Sequence, residues 1–192
     1  MRSRLLPGLL IGLGLLGSAG PAMAGDTAAQ ASEARAAIQR FSAILGAALK
    51  SAMENAGPVA TIEVCNLKAA ELAKEASEAT GWQVGRTALK LRNPRNAPDA
   101  WEKGVLAAFA TRAAAGEELA KLDETAVIVR DGHPVIRYMK AIPTAALCLT
   151  CHGGSLKPEV QTRLLELYPA DQATGFALGD LRGAFTLTRR LD

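Results

Sequence analysis

Apolar side chains recur every three or four residues near the start of the chain, a pattern typical of an amphipathic helix. The helix is predicted between Asp26 and Asn55, and Gly57-Pro58 ends it because both residues disfavour helical continuation. Its apolar stripe consists of Ile38, Phe41, Leu45, Leu49 and Met53.

A second stripe with the same spacing predicts another helix, from about Val59 to Ala79, that stops before Gly81. The stripe is formed by Ile62, Cys65, Ala69, Leu72 and Ala76. Residues on such a stripe face the protein interior, so Cys65 is expected to point inward. The fold therefore starts with a pair of helices.

The middle of the chain combines a strand pattern and a helix pattern, separated by a loop. Residues from Trp82 to Arg92 favour a strand, and the two prolines and two asparagines of residues 92–98 favour a loop. A third helix is predicted from about Asp99 to Ala115, because apolar residues share one face and Gly116 follows.

Two β-rich runs, Thr125–Arg130 and His133–Ile142, flank Asp131-Gly132, which is a strong hairpin signal. A helix from about Pro158 to Leu167 and a strand from Leu181 to Thr188 are predicted after the hairpin. The strands do not alternate regularly with helices, so the pattern predicts an α+β fold with an N-terminal helical pair.

The first residues resemble a secretory signal peptide. Arg2 and Arg4 precede an apolar run from Leu5 to Leu16, and Ala22-Met23-Ala24 fits a cleavage site. The alternative, an uncleaved membrane anchor, is disfavoured because a span needs about 20 apolar residues. We therefore predict a signal peptide over residues 1–24, a single domain over residues 25–192, and a periplasmic location.

The charge balance gives no support for binding to nucleic acid or to an anionic membrane surface. Removal of Arg2 and Arg4 lowers the formal net charge from +3 to +1, and no long basic run remains. We also predict no integral membrane segment in the mature chain.

The chemistry of the chain is concentrated in Cys148-Leu149-Thr150-Cys151-His152. Two cysteines separated by two residues can each add to a vinyl group of haem, and the following histidine can bind the iron. The motif therefore predicts one covalent haem c held by Cys148 and Cys151, with His152 as an axial ligand. Two alternatives remain: a dithiol redox pair, or a zinc site that also uses Cys65 and either His133 or His152.

If the motif holds a haem, Cys65 is the one cysteine left over. It could be the second axial ligand or a buried, inert thiol, and the residues alone do not favour either. Met53 and Met139 are also possible axial ligands, although core methionine is the commoner case. His133 is expected to be an exposed residue of the hairpin turn.

Several polar residues are candidates for binding the haem propionates, because guanidinium, amide, phenol and ammonium groups all donate to carboxylates. Arg92 and Asn93 lie in the proline-rich loop, whereas Tyr138 and Lys140 lie on the strand that leads to the motif. Arg95 and Arg137 are similar candidates. An ordinary surface position is the alternative for each.

Together, several segments resemble a family of single-haem c proteins with a PAS-like fold. This family includes a cyanobacterial photosystem-associated protein and haem-binding modules of bacterial sensor kinases. The segments are Ile62-Glu-Val-Cys-Asn66, Leu91-Arg-Asn-Pro94 with Trp101-Glu102, Arg137-Tyr-Met-Lys140, Cys148 to Gly153, Tyr168-Pro-Ala-Asp171 with Gly175, and Gly179 to Ala184. The resemblance implies an antiparallel sheet flanked by helices, with haem between them and with Cys65 and His152 as the axial pair.

The predicted function is electron transfer or redox sensing through an unknown redox or signalling protein partner. Paired carboxylates, a nucleophile with a base and a phosphate-binding loop are not evident in the sequence, so an enzyme is not expected. A sensor of a diatomic gas is the alternative, followed by a haem enzyme of sulfur-compound oxidation.

Overall fold

The computed structural model describes residues 21–191, with side chains from residue 26 onward, so most of the predicted signal peptide lies outside the described residues. The helices are α1 (Pro21–Glu63), α2 (Ala69–Thr80), α3 (Ala100–Ala114), α4 (Leu149–His152) and α5 (Pro158–Leu167). The strands are β1 (Gln83–Thr87), β2 (Asp123–Arg130), β3 (His133–Pro143) and β4 (Leu181–Arg190). In this part of the chain, no helix is long and apolar enough to cross a membrane.

The N-terminal helical pair is present, and its two helices follow each other directly, with a kink at Gly57 between them. Gly57 has φ 77° and ψ −175°, a conformation that L side chains rarely adopt, and Pro58 follows it. The expected break at Gly57-Pro58 is therefore confirmed. The second predicted helix contains a π-helical segment, Val64–Lys68, in which the Ala69 N–H donates to the Val64 carbonyl. This segment carries Cys65.

The four strands form one antiparallel sheet in the order β1-β4-β3-β2. Helices cover both faces. Phe41 of α1 and Trp82 pack with Leu187 on one face, whereas Leu106 and Phe109 of α3 pack with β3 and β4 on the other. The predicted α+β class and the antiparallel sheet flanked by helices are confirmed.

The hairpin forms as predicted. Arg130 pairs with His133 across a two-residue turn, and Asp131 and Gly132 both have positive φ, as a tight hairpin turn requires. The strand before the proline-rich loop is shorter than predicted, however, because β1 ends at Thr87. Its pairing with β4 stops at Ala184, and the next residue, Gly183, lies so close to Thr87 that a Cβ would be 2.4 Å from the Thr87 carbonyl oxygen.

A third cluster joins the end of α1 to the C-terminal third of the chain. Ile62 packs against Val160 and Leu164 of α5 and against Tyr168, with Cys151 at the edge of the cluster. This packing brings the segment after α1 close to α4. The π-helical segment that carries Cys65 and the turn that carries Cys148 and Cys151 therefore both lie beside β1, at the edge of the sheet.

Candidate functional site

A cavity of about 590 Å³ lies among α1, the π-helical segment, β1, the loop after β1, and α4. Its volume falls within the range of small-molecule and cofactor sites, about 300–1,000 Å³. Cys65, Cys148, Cys151 and His152 all line it, so the structure brings together the four residues that the sequence predicts as thioether and axial ligands.

The motif folds as one tight helical turn. A 3₁₀ turn, Ala146–Cys148, leads into α4, which ends at His152. Residues three apart share a face of a helix, so the turn directs Cys148 and Cys151 to one side. Gly153 follows at a close approach, because a Cβ there would lie 2.6 Å from the Leu149 carbonyl oxygen.

The imidazole of His152 is fixed by the segment after α5. Its Nδ1 lies 2.7 Å from the Ala173 carbonyl oxygen, and since a carbonyl only accepts, Nδ1 carries the proton. Phe176 packs edge-on against the ring, with centroids 6.3 Å apart. Burial, with repulsion from Arg182 and Arg92, lowers the pKa of His152 to about 3. The ring is therefore neutral, and Nε2 keeps a lone pair for a ligand bond.

Arg92 ties the motif to the segment that holds His152. Its Nη2 donates to the Cys151 carbonyl at 2.6 Å and to the Ala173 carbonyl at 3.2 Å. Its Nε and Nη2 lie 3.1 and 3.0 Å from the Asp171 carboxylate. Asp171 in turn accepts from the Ala173 N–H at 2.8 Å. Arg92 also lines the cavity, although its Nε and Nη2 donate to groups of the protein itself.

Cys65 is partly buried in the π-helical segment. Burial raises the pKa of its thiol, and the positive charges of Arg86, Arg92 and Arg182 oppose that rise. The surroundings of Cys65 are thus apolar but contain three guanidinium groups that favour a thiolate. π-helical segments within α-helices occur frequently at functional sites.

The remaining candidates divide between the cavity and the core. Asn93 lines the cavity, and its side chain also accepts from the Arg95 N–H at 3.0 Å. Met53 lines the cavity as well, whereas Met139 is fully buried beneath α3.

Tyr138 and Lys140 do not line the cavity. The Tyr138 hydroxyl donates to Asp123 at 2.6 Å, and the Lys140 ammonium donates to the Ala120 carbonyl at 2.7 Å. Both side chains donate to groups on the β2 side of the sheet, and their contact with the haem propionates stays a prediction.

Arg137 and His133 also lie apart from the cavity. Arg137 pairs with Asp99 and Glu102 at the start of α3 and stacks 4.3 Å over Trp101. His133 is exposed beside the hairpin turn. Among the residues that the structure describes, no three His, Cys, Asp or Glu side chains are grouped to hold a metal ion directly.

Four basic residues at the cavity were not predicted from the sequence: Lys74, Lys90, Arg86 on β1 and Arg182 on β4. Side chains alternate along a strand, so Arg86 shares a face with the buried Val84 and was open to prediction from that pattern. Arg182 gave no such signal, because the buried pattern of β4 begins only after it.

The Tll0287-like family model matches residues 24–189. The crystal structure of the cyanobacterial heme-protein Tll0287 is similar, with 26% sequence identity and a TM-score of 0.63, over 91% of this chain and 98% of that one. No curated protein matches the chain. The resemblance seen in the sequence is confirmed at the level of the family: the chain belongs to the Tll0287-like family.

Proposed function

We propose that this chain is a periplasmic protein with one covalent haem c, and that it transfers electrons or senses redox state through a protein partner. The observation that carries the proposal is the placement of Cys148, Cys151 and His152 on one helical turn at a cavity of about 590 Å³. The related protein of known structure is itself described as a heme-protein.

The donor set of the cavity fits haem c. Cys148 and Cys151 would form the two thioether bonds, and His152 would bind the iron through Nε2 because Nδ1 is held by Ala173. Cys65 would be the second axial ligand. Apolar side chains of α1, among them Phe41, Leu45 and Leu49, supply the apolar wall that a porphyrin needs.

Haem bound at this site would supply one-electron chemistry at its iron. The chain would set the potential through its own groups. An anionic Cys65 thiolate favours the ferric state, whereas the hydrogen bond from His152 to Ala173 fixes the ring that meets the iron. A low midpoint potential is therefore expected.

Covalent attachment is tested by coexpression with the c-type maturation machinery. One haem per chain that survives denaturation and acid–acetone extraction is expected, and the Cys148→Ala/Cys151→Ala variant should lose it. Extractable haem in the parent would contradict thioether attachment. Mass spectrometry of the same preparation should show a mature chain that starts at Gly25, and retention of Met1 would contradict the proposed export.

Axial ligation by Cys65 is tested by the Cys65→Ala variant. The midpoint potential should rise and the low-spin ferric electron paramagnetic resonance signal should change, because the iron loses an anionic ligand. An unchanged signal would identify Cys65 as a core thiol. Redox titration with and without carbon monoxide distinguishes a diatomic-gas sensor from an electron-transfer or redox-sensing protein. Tight binding of carbon monoxide by both the parent and Cys65→Ala would favour gas sensing.

A further inference from the structure

The polar part of the cavity wall carries charges of one sign. Six basic residues contribute to it, and among the described residues that line it none is Asp or Glu. The six are Lys74, Arg86, Lys90, Arg92, Arg95 and Arg182. A buried or half-buried cation is costly unless an anion lies nearby, so this wall indicates a ligand that brings negative charge.

Most of the six already have partners within the protein. Lys74 pairs with Glu78 on the outer side of α2, and Arg92 pairs with Asp171. Lys90 donates to the Thr174 carbonyl at 3.3 Å, and Arg95 is exposed to solvent. These four cations therefore do not require a ligand for charge balance.

Arg86 and Arg182 differ from the other four. Arg86 is half-buried and makes no hydrogen bond or ion pair with any residue that the structure describes, and its guanidinium lies 5.9 Å from the Phe41 ring. Arg182 stacks 5.2 Å from the Phe176 ring, and among the described residues its one hydrogen bond, to the Lys90 carbonyl, is long at 3.5 Å. The two side chains come from the neighbouring strands β1 and β4.

The electrostatics of Arg86 and Arg182 favour an anion close to both guanidinium groups. Burial lowers the pKa of Arg182 to about 10, and repulsion by Arg92 and Arg86 adds to the effect. Burial likewise lowers the pKa of Arg86. Two carboxylates placed at these guanidinium groups would relieve the repulsion and accept paired hydrogen bonds from each planar fork.

We propose that Arg86 and Arg182 form a dicarboxylate-binding site, which holds the two propionates of the haem at this cavity. This assignment rests on the proposed function. It replaces Tyr138 and Lys140, whose donors are used elsewhere in the sheet. It also gives Arg92 a different role, because the charge of Arg92 is balanced by Asp171.

The test uses the holoprotein with Arg86→Gln and Arg182→Gln, each measured by resonance Raman spectroscopy of the propionate bending modes. Each variant should shift one mode and lower the midpoint potential, since a positive charge near the iron is lost. Lys74→Gln is the matched control: it removes one charge from the same wall at a residue already paired with Glu78, and should leave both modes unchanged.

Arg86→Lys and Arg182→Lys keep the charge but lose the fork, and should shift the same modes less than the glutamine variants do. They decide the question if the glutamine variants do not accumulate. The assignment is wrong if the haem-loaded variants keep unchanged propionate modes. It is also wrong if substitution at only one of the two arginines shifts a propionate mode. A parent protein without covalent haem overturns the proposed function itself, and the assignment with it.

Discussion

The buried ion pair between Arg92 and Asp171 gives the most specific prediction for stability. Both side chains are less than a tenth exposed, at 9% and 8%. Arg92→Gln removes the ion pair and the charged donor shared by the Cys151 and Ala173 carbonyls, and it leaves the Asp171 carboxylate buried without its partner. Breaking a buried pair from one side costs about 3–5 kcal/mol, so we expect a loss of that size in the free energy of unfolding.

Companion variants separate the ion pair from general disruption. Arg92→Gln with Asp171→Asn should be more stable than Arg92→Gln alone, because no unpaired carboxylate remains. Arg112→Gln is the matched control: Arg112 makes a two-pronged ion pair with Glu117 at the exposed end of α3, and its loss should leave stability almost unchanged.

The assay is urea unfolding of the holoprotein, followed by far-ultraviolet circular dichroism. The same samples should report on His152, since Ala173 accepts from its Nδ1 and Arg92 holds that carbonyl. A changed ferric spectrum in Arg92→Gln, with an unchanged one in Arg112→Gln, is expected. Equal stability of Arg92→Gln and Arg112→Gln would refute the conclusion that the buried ion pair of Arg92 stabilises the protein.

Three further changes test the fold around the site. Gly153→Ala should destabilise the protein by about 1–3 kcal/mol, as measured by urea unfolding, because the new Cβ would meet the Leu149 carbonyl oxygen at 2.6 Å and the backbone must shift. Leu106→Ala, at a fully buried position of α3, should cost about 2–5 kcal/mol, and a loss below 1 kcal/mol would contradict its place in the core. Burial raises the pKa of Asp123, but hydrogen bonds from Arg35 and Tyr138 outweigh that effect and hold the pKa below 3.8. The stability that the Asp123 carboxylate contributes is therefore present above pH 3.8 and is lost as the pH falls further. The thermal unfolding temperature of Asp123→Asn should differ from that of the parent at pH 7 and converge with it in acid.

Local signals in the sequence were sufficient for the elements whose ends are determined by neighbouring residues. Asp131-Gly132 determined the hairpin, and α5 occupies Pro158–Leu167 as predicted, because proline at its first position and Tyr168-Pro169 after its end delimit it. The apolar periodicity indicated the inward face that carries Cys65, and the spacing of the motif indicated Cys148, Cys151 and His152; all four line one cavity.

The rest depends on contacts between distant parts of the chain. The π-helical segment at Cys65 has no local signature, and the pairing of β1 ends at Thr87, beside Gly183, which lies almost a hundred residues later in the chain. Tyr138 and Lys140 were placed near the haem because they precede the motif in sequence. In the structure their hydrogen-bond partners are Asp123 and Ala120, which are set by the pairing of β2 with β3 and the turn before β2.

The position of β4 has a consequence for the order in which the protein assembles. β4 is the last strand that the structure describes, and it lies between β1 and β3. β1 therefore cannot join the β2–β3 hairpin in one sheet until Leu181 and the residues after it have been made. At about 5–20 residues per second, a ribosome takes roughly 1–6 s to proceed from His152 to Leu181. Cys148 and Cys151 thus precede the strand that completes the sheet, and the part of the cavity wall that β4 supplies is the last to be made.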